Sequence, residues 1–223
     1  MMKINLQFFG GRGSGSYSGN SRAGSLAPSG DGGGTDLNVA GWTPQAGSKS
    51  VNEDVTMNGA EKRILNLDHE QLVVVDKYGY VVSVVDGSEH SVGITDKAAK
   101  AIAAGGRVTH NHPNGGTFSP ADVISAGNLG ATEIRAASKR FKTTYSLKAT
   151  NKANGKGIAK QMNKDYPKIE KEWDAKILKL NNRKYMNKDN YEKAVYQAYN
   201  DVMDAWMKKN ASKYGYTYSS SKL

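Results

Sequence analysis

The sequence contains no cysteine, which excludes disulfides, thiolate zinc fingers and cysteine nucleophiles together. Any bound metal must then be held by His, Asp or Glu. No run approaches the ~18 consecutive apolar residues of a membrane span, so no membrane partner is expected. The opening MMKINLQFF offers one Lys and a very short apolar patch with no cleavage box behind it, which predicts no secretory leader. Hydrophobic residues are scarce at 38%, while Gly numbers 25 in 223 residues, so part of the chain is expected to lie outside any core. Together these features predict a soluble protein of a reducing compartment.

What is present is unevenly placed. Residues 1–50 carry a charge of +2, residues 51–130 one of −4 and residues 131–223 one of +12, which gives the chain its +10. The first 50 residues also hold 12 of the glycines and eight serines, a composition with too little apolar surface to offset its ordering entropy. They are read as a flexible arm, within which Leu6, Phe8 and Phe9 could form a docking peptide.

From Val51 the pattern changes to α+β. A helix is predicted from Glu61 to about Leu67, and Gln71-Leu-Val-Val-Val-Asp76 reads as a buried strand. A turn at Lys77–Gly79 leads into a partner strand over Tyr80–Val85, with a third strand expected around Ser91–Ile94. Asp96–Ala104 is helical, Arg107–His110 a short strand, and Ser119 opens a helix to about Leu129. Glu133–Ala137 and Thr143–Leu147 read as further strands. The predicted class is a mixed sheet with flanking helices over residues 51–149. A hinge over 150–157 then precedes a basic helical hairpin over 158–213, where Ile169, Trp173, Ile177 and Leu180, and again Tyr191, Val195, Ala198, Val202 and Trp206, recur at helical spacing. The Tyr/Ser-rich residues 214–223 are expected to fray.

One segment carries chemistry: Thr109-His-Asn-His-Pro-Asn-Gly-Gly-Thr-Phe-Ser-Pro-Ala-Asp122. Residues two apart on a strand share a face, so His110 and His112 can present two imidazoles to one ion while Asn111 turns away. Pro113 ends the strand, the Asn-Gly-Gly turn brings the chain back, and the helix beginning at Ser119 carries Asp122 in its first turn. Two neutral imidazoles and a carboxylate leave a fourth tetrahedral position open, which is how catalytic zinc is held. Such an ion lowers the pKa of its water to roughly 7. The same residues are also a good helix start, with Ser119 as cap and Pro120 at the first helical position, and an isolated His-x-His can be a surface pair. All three readings stand on the residues alone.

His-Asn-His-Pro, a Gly turn, Ser, two residues and Asp resemble the zinc signature of the JAMM (MPN+, JAB) metallopeptidases and their RadC-like bacterial relatives. That family also needs a glutamate directly before an apolar strand, and Glu70 precedes Gln71-Leu-Val-Val-Val in that way. The resemblance covers roughly residues 61–147. It implies a JAB/MPN-like fold with cytidine-deaminase-like layering and a zinc cofactor on His110, His112 and Asp122. It further implies Glu70 as general acid/base, Ser119 as oxyanion stabiliser, and a protein or peptide substrate whose amide or isopeptide bond is cleaved by water directly. Two intervals depart from the family's pattern: six residues separate His112 from Ser119, one fewer than usual, and the Glu70-to-His110 interval is short for eukaryotic members. Glu61 is a rival for the glutamate role; Glu70 is preferred because it abuts the strand.

A second, looser resemblance concerns context. MKINLQFFG followed by a Gly/Ser arm is similar to the starts of structural and morphogenesis proteins of phages and mobile elements of Gram-positive bacteria. The THNHP…FS..D segment with EIRA and YSL after it looks like a module of phage head-associated proteins. These likenesses imply phage structural proteins as partners, a place in the cytoplasm of a bacterial host or in a virion, and the alternative of a non-catalytic assembly protein on a JAMM-like scaffold. The basic C-terminal helices, with Tyr145, Tyr166, Trp173, Tyr185 and Tyr191 interleaved, are compatible with nucleic acid or an acidic protein as partner, and a basic nucleic-acid-binding protein is the remaining alternative.

Overall fold

Two β-branched runs separated by a glycine turn build the centre of the molecule. In a computed structural model, which describes residues 34–42, 44, 51–181 and 187–223, the first run is β2 (Gln71–Val75), buried at all five positions. A strand buried on every residue needs cover on both faces. It pairs antiparallel with β3 (Val81–Asp86) across a turn in which Gly79 takes φ +84°, a conformation that costs glycine little. On its other edge β2 pairs antiparallel with β4 (Arg107–His112), which runs parallel to β5 (Glu133–Ser138). The parallel pair requires a crossover, supplied by helix α3 (Pro120–Leu129). β6 (Thr143–Ala149) and β7 (Tyr216–Lys222) extend the sheet antiparallel, and a two-residue β1 (Thr35–Asp36) lies beside β3 at the far edge. The order is β1-β3-β2-β4-β5-β6-β7.

Five α-helices accompany this mixed seven-stranded sheet among the described residues: α1 (Glu53–Ile64), α2 (Asp96–Ala103), α3, α4 (Gly155–Asn181) and α5 (Lys188–Asn210). This is the predicted α+β class. Alternation along the strands divides the core in two. Val73, Val75 and Val84 pack with Met57 and Ile64 of α1 on one face. Leu72, Val74, Val108, Ile134 and Tyr145 pack with the other four helices on the opposite face. Fully burying each such aliphatic side chain contributes about 1.5–3 kcal/mol.

Several boundaries differ from the sequence reading. The first helix begins at Glu53 rather than Glu61, because Asn52 caps it by accepting from the Asp54 N–H at 2.8 Å, and it ends at Ile64. The strand expected around Ser91–Ile94 is irregular. There Ser88 and Ser91 bond to each other, which turns the chain, while Val92 and Ile94 still pack on the core. Residues 214–223 do not fray: Gly215 at φ +76° reverses the chain, and all seven residues of β7 pair with β6. Their Tyr/Ser composition is that of an edge strand with one wetted face.

The segment 150–157 is not a free hinge, since Thr150 N–H donates to the Gly215 carbonyl and Asn154 N–H to that of Tyr214. The predicted helical hairpin exists as α4 and α5, but Ile158, Met162, Trp173, Val202 and Trp206 share one core with the sheet. Within the expected arm, residues 34–42 join the fold through β1 and through Trp42, which is buried beneath the Arg63 guanidinium at 4.0 Å. Residues 1–33, with Leu6, Phe8 and Phe9, lie outside the described residues. Among those described, no helix is long and apolar enough to cross a membrane.

Candidate metal centre

The centre forms where β4 ends and α3 begins, at the carboxyl end of the sheet's parallel pair. His110 and His112 share the helix-covered face with Val108, as alternation requires. Both are about 2% exposed. The loop after Pro113 returns under long-range restraint. The Ser138 hydroxyl donates to the Gly115 carbonyl at 2.5 Å, Thr117 N–H donates to Asn200 Oδ1 of α5 at 2.8 Å, and Thr117 Oγ1 lies 2.9 Å from the Tyr218 hydroxyl of β7. A Cβ on Gly116 would collide with Asn200 and crowd Phe141, so the tight return needs glycine. The loop delivers Ser119 as the cap of α3: its Oγ accepts from the Asp122 N–H, and Asp122 Oδ2 accepts from the Ser119 N–H at 2.7 Å. This reciprocal capping box is the helix-start reading, and it also fixes the orientation of Asp122.

The donor atoms converge. Nε2 of His110 lies 2.9 Å from Nε2 of His112, and the two are 3.4 and 3.6 Å from the Asp122 carboxylate oxygens. One ligand atom from each residue falls within 4.8 Å of the others, so the group could hold a metal ion. Zn–N bonds of ~2.0–2.1 Å at a tetrahedral angle set ligand nitrogens roughly 3.3 Å apart, which the present spacing matches to within a few tenths of an ångström. Two bare Nε2 atoms at 2.9 Å must share a proton or a cation, because facing lone pairs repel and facing N–H groups clash. His112 Nδ1 faces the Gly116 carbonyl at 3.2 Å, which favours the tautomer that leaves its Nε2 as a lone-pair donor. Asp122 is the most accessible of the three, at 21% side-chain exposure against 2% and 3%, so the group opens toward solvent on its side.

The electrostatics couple these three side chains to one another and to Glu70. Burial opposes charge on His110, but the Asp122 carboxylate and Glu70 outweigh it and hold this imidazole above its usual pKa. Burial and the neighbouring His110 push His112 down to about 4. Burial would raise the Asp122 carboxyl, yet His110 and the other partners bring it well below the usual carboxylate range.

Glu70 directly precedes β2, and continuing the β2–β4 register (Leu72 opposite His110) sets it across from His112. It is 5% exposed, and burial together with the Asp122 charge pushes its carboxyl up to about 8. Its backbone is bonded to Gly87 and Ser88. Its two chain neighbours are held by Asn111, whose Oδ1 accepts from the Gln71 N–H at 2.7 Å and whose Nδ2 donates to the His69 carbonyl at 2.8 Å. Alternation turned Asn111 away from the imidazoles; nothing in the sequence said that it would grip the strand bearing the glutamate. Glu61 lies on the opposite face of the sheet, where Thr109, Thr144 and Arg135 donate to its carboxylate. The fold therefore gathers Glu70, His110, His112, Ser119 and Asp122 at one end of the sheet and leaves Glu61 outside. Asn200 and Tyr218, which hold the loop, come from positions distant in sequence.

No protein family, curated protein or solved structure matches the chain.

Proposed function

We propose that the chain is a zinc-dependent hydrolase of JAMM type that cleaves a peptide or isopeptide bond. The observation that supports it best is the buried convergence of two Nε2 atoms and a carboxylate beside a second, separately buried carboxyl. His110, His112 and Asp122 would hold the ion, and a donor set of two imidazoles with one carboxylate suits zinc better than magnesium or calcium. When bound, zinc supplies Lewis acidity, which activates water near neutral pH and polarises the amide carbonyl.

The remaining roles fall to this chain's own groups. Burial pushes the Glu70 carboxyl up to about 8, and a nearby dication would lower it and favour the carboxylate. That carboxylate takes a proton from the attacking water and returns it to the leaving nitrogen. Ser119 Oγ already accepts from the Asp122 N–H, so its own hydroxyl proton is left to donate to the developing oxyanion. Asn111 fixes the peptides on either side of Glu70. A JAB/MPN-like fold is part of this proposal and agrees with the layering of helices on both sheet faces. The phage context, with phage structural proteins as partners and a place in the bacterial cytoplasm or virion, rests on sequence resemblance alone.

The test is incubation of the zinc-loaded protein with a mixed peptide library and an isopeptide-linked conjugate in H₂¹⁸O, read by mass spectrometry. Cleavage with one ¹⁸O in each new carboxylate is expected, reduced about 10²–10⁴-fold in Glu70→Gln. Intact substrates with the wild type, or equal cleavage by Glu70→Gln, would contradict the proposal.

A further inference from the structure

The surface the hydrolase reading leaves unused is the outer side of α4. Its apolar positions, Ile158, Met162, Ile169, Trp173 and Ile177, are all consumed by the core. Opposite them, Lys156, Lys160, Lys164 and Lys168 recur every fourth residue and Lys171 follows at three, all five exposed. Residues four apart on a helix lie on one side, about 6 Å apart along the axis, so these lysines form a single row.

The row is not neutralised. From Gly155 to Lys171 the acids are Asp165 and Glu170, both half-buried, and the exposed Glu172 and Asp174 lie only at the row's far end. Asp165 accepts from Gln161 and from the Trp206 indole, and the nearest row member to it is Lys168 at 3.9 Å. Among the described residues Lys156, Lys160, Lys164 and Lys171 make no ion pair. The same pins, Trp206 to Asp165 and the Tyr214 hydroxyl to Gln161, hold the end of α5 against this half of α4. Exposed Lys209 and Lys213 are carried on that adjoining stretch.

We propose that this face of α4 binds the phosphate backbone of nucleic acid. A regular row of flexible cations matches a polyanion of regular charge spacing, and a duplex carries one charge per ~1.7 Å of its axis. A protein partner fits less well, because interface cores are depleted in lysine and rich in aromatic anchors, and this row has no apolar centre. A membrane surface fits less well too, since amphipathic helices bind lipid by burying an apolar face, and that of α4 is already covered. Lysines along one helix face meet backbone phosphates, which carry no sequence information, so the binding is sequence-independent. It does not depend on the metal site.

The experiment is fluorescence anisotropy of the full-length protein with a 20-base-pair duplex of arbitrary sequence, across 50–200 mM salt. Five phosphate contacts predict a slope of about −4.5 in log K against log salt, a loss of roughly 500-fold over that range. Lys160→Gln/Lys164→Gln/Lys168→Gln should bring the slope to about −2. A charge-matched Lys62→Gln/Lys97→Gln/Lys100→Gln control, on exposed lysines of α1 and α2, should keep the wild-type slope. Unchanged circular dichroism shows that both variants are folded. A flat salt response, equal losses in both triple variants, or binding to vesicles of 30% phosphatidylserine in place of the duplex would overturn the proposal.

Discussion

The two faces of the central sheet each bury a cluster of ionisable groups, and the clusters are built on opposite logic. On the α1 face, Arg107 reaches Asp54 at 2.6 Å, Glu53 at 3.4 Å and the Glu133 carboxylate. Arg135 reaches Asp54 and Glu133 at 2.7 Å each and Glu61 at 3.5 Å. Every charge there meets an opposite one, and Ser146, Thr109 and Thr144 add hydroxyl donors to the carboxylates. A cleft of about 530 Å³ opens beside this network, lined by Glu53, Asp54, Arg107, Glu133 and Lys148, groups largely committed to one another. On the other face two imidazoles point at each other, one carboxylate sits against them, and Glu70 is held as a neutral acid by burial. The first cluster is tied by guanidinium–carboxylate pairs; the second has no Lys or Arg in it, and its imidazoles and carboxylate could hold a metal ion. Burial of charge alone does not mark a functional site; what sets the second cluster apart is that its donor atoms face one another at ligand spacing.

Breaking the closed network should cost the most stability. Arg107→Ala leaves Asp54, Glu61 and Glu133 facing Arg135 alone and should destabilise the protein by about 3–5 kcal/mol in denaturant titration, with metal binding of the folded fraction unchanged. Comparable losses of metal binding in that variant would mean that the two clusters are not independent.

The open site should show itself next through pH. A carboxyl raised to about 8 in the folded state favours the protonated form. Its contribution to metal-free stability is therefore complete below the ordinary glutamate pKa and is lost as pH rises through about 8. Glu70→Gln should remove that dependence and stabilise the metal-free protein above pH 8 by on the order of 3 kcal/mol, read by thermal melts at several pH values. Wild-type and variant melts that run parallel with pH would show that Glu70 is not buried as an acid.

Metal binding should carry the opposite sign. His110, held above the usual imidazole value by Asp122, must lose its proton to bind an ion. Affinity should fall about tenfold per pH unit below neutrality, as calorimetry can check; a pH-independent affinity would argue that His110 is not a ligand. The smallest effect is local. Ser119→Ala removes the cap of α3 and should cost about 1 kcal/mol, with a further loss in turnover only if its hydroxyl also meets an oxyanion.

Much of this was legible because local pattern and tertiary demand agree. The Gln71–Val75 run, the helix after Thr95 and the Ser119–Asp122 box are each fixed by near neighbours, and so is the pairing of His110 with His112 across one strand. What escaped depends on contacts far apart in sequence. β7 exists because Gly215 turns Tyr216–Lys222 onto β6, a partner some 70 residues away whose edge no local signal announces. Thr117 is held by Asn200 and Tyr218, and Glu70 is framed by Asn111, through bonds that residue type alone does not specify. Glu61 competed with Glu70 on paper because a linear reading does not say which face of the sheet a preceding helix will cover.

Native mass spectrometry of protein purified with zinc, wild type beside His110→Ala/His112→Ala, tests most directly whether the open cluster is a metal centre. One zinc per wild-type chain, absent from a folded double variant, is the predicted result. A folded wild type that carries no metal would contradict it and leave the two imidazoles as a proton-sharing pair above a capped helix.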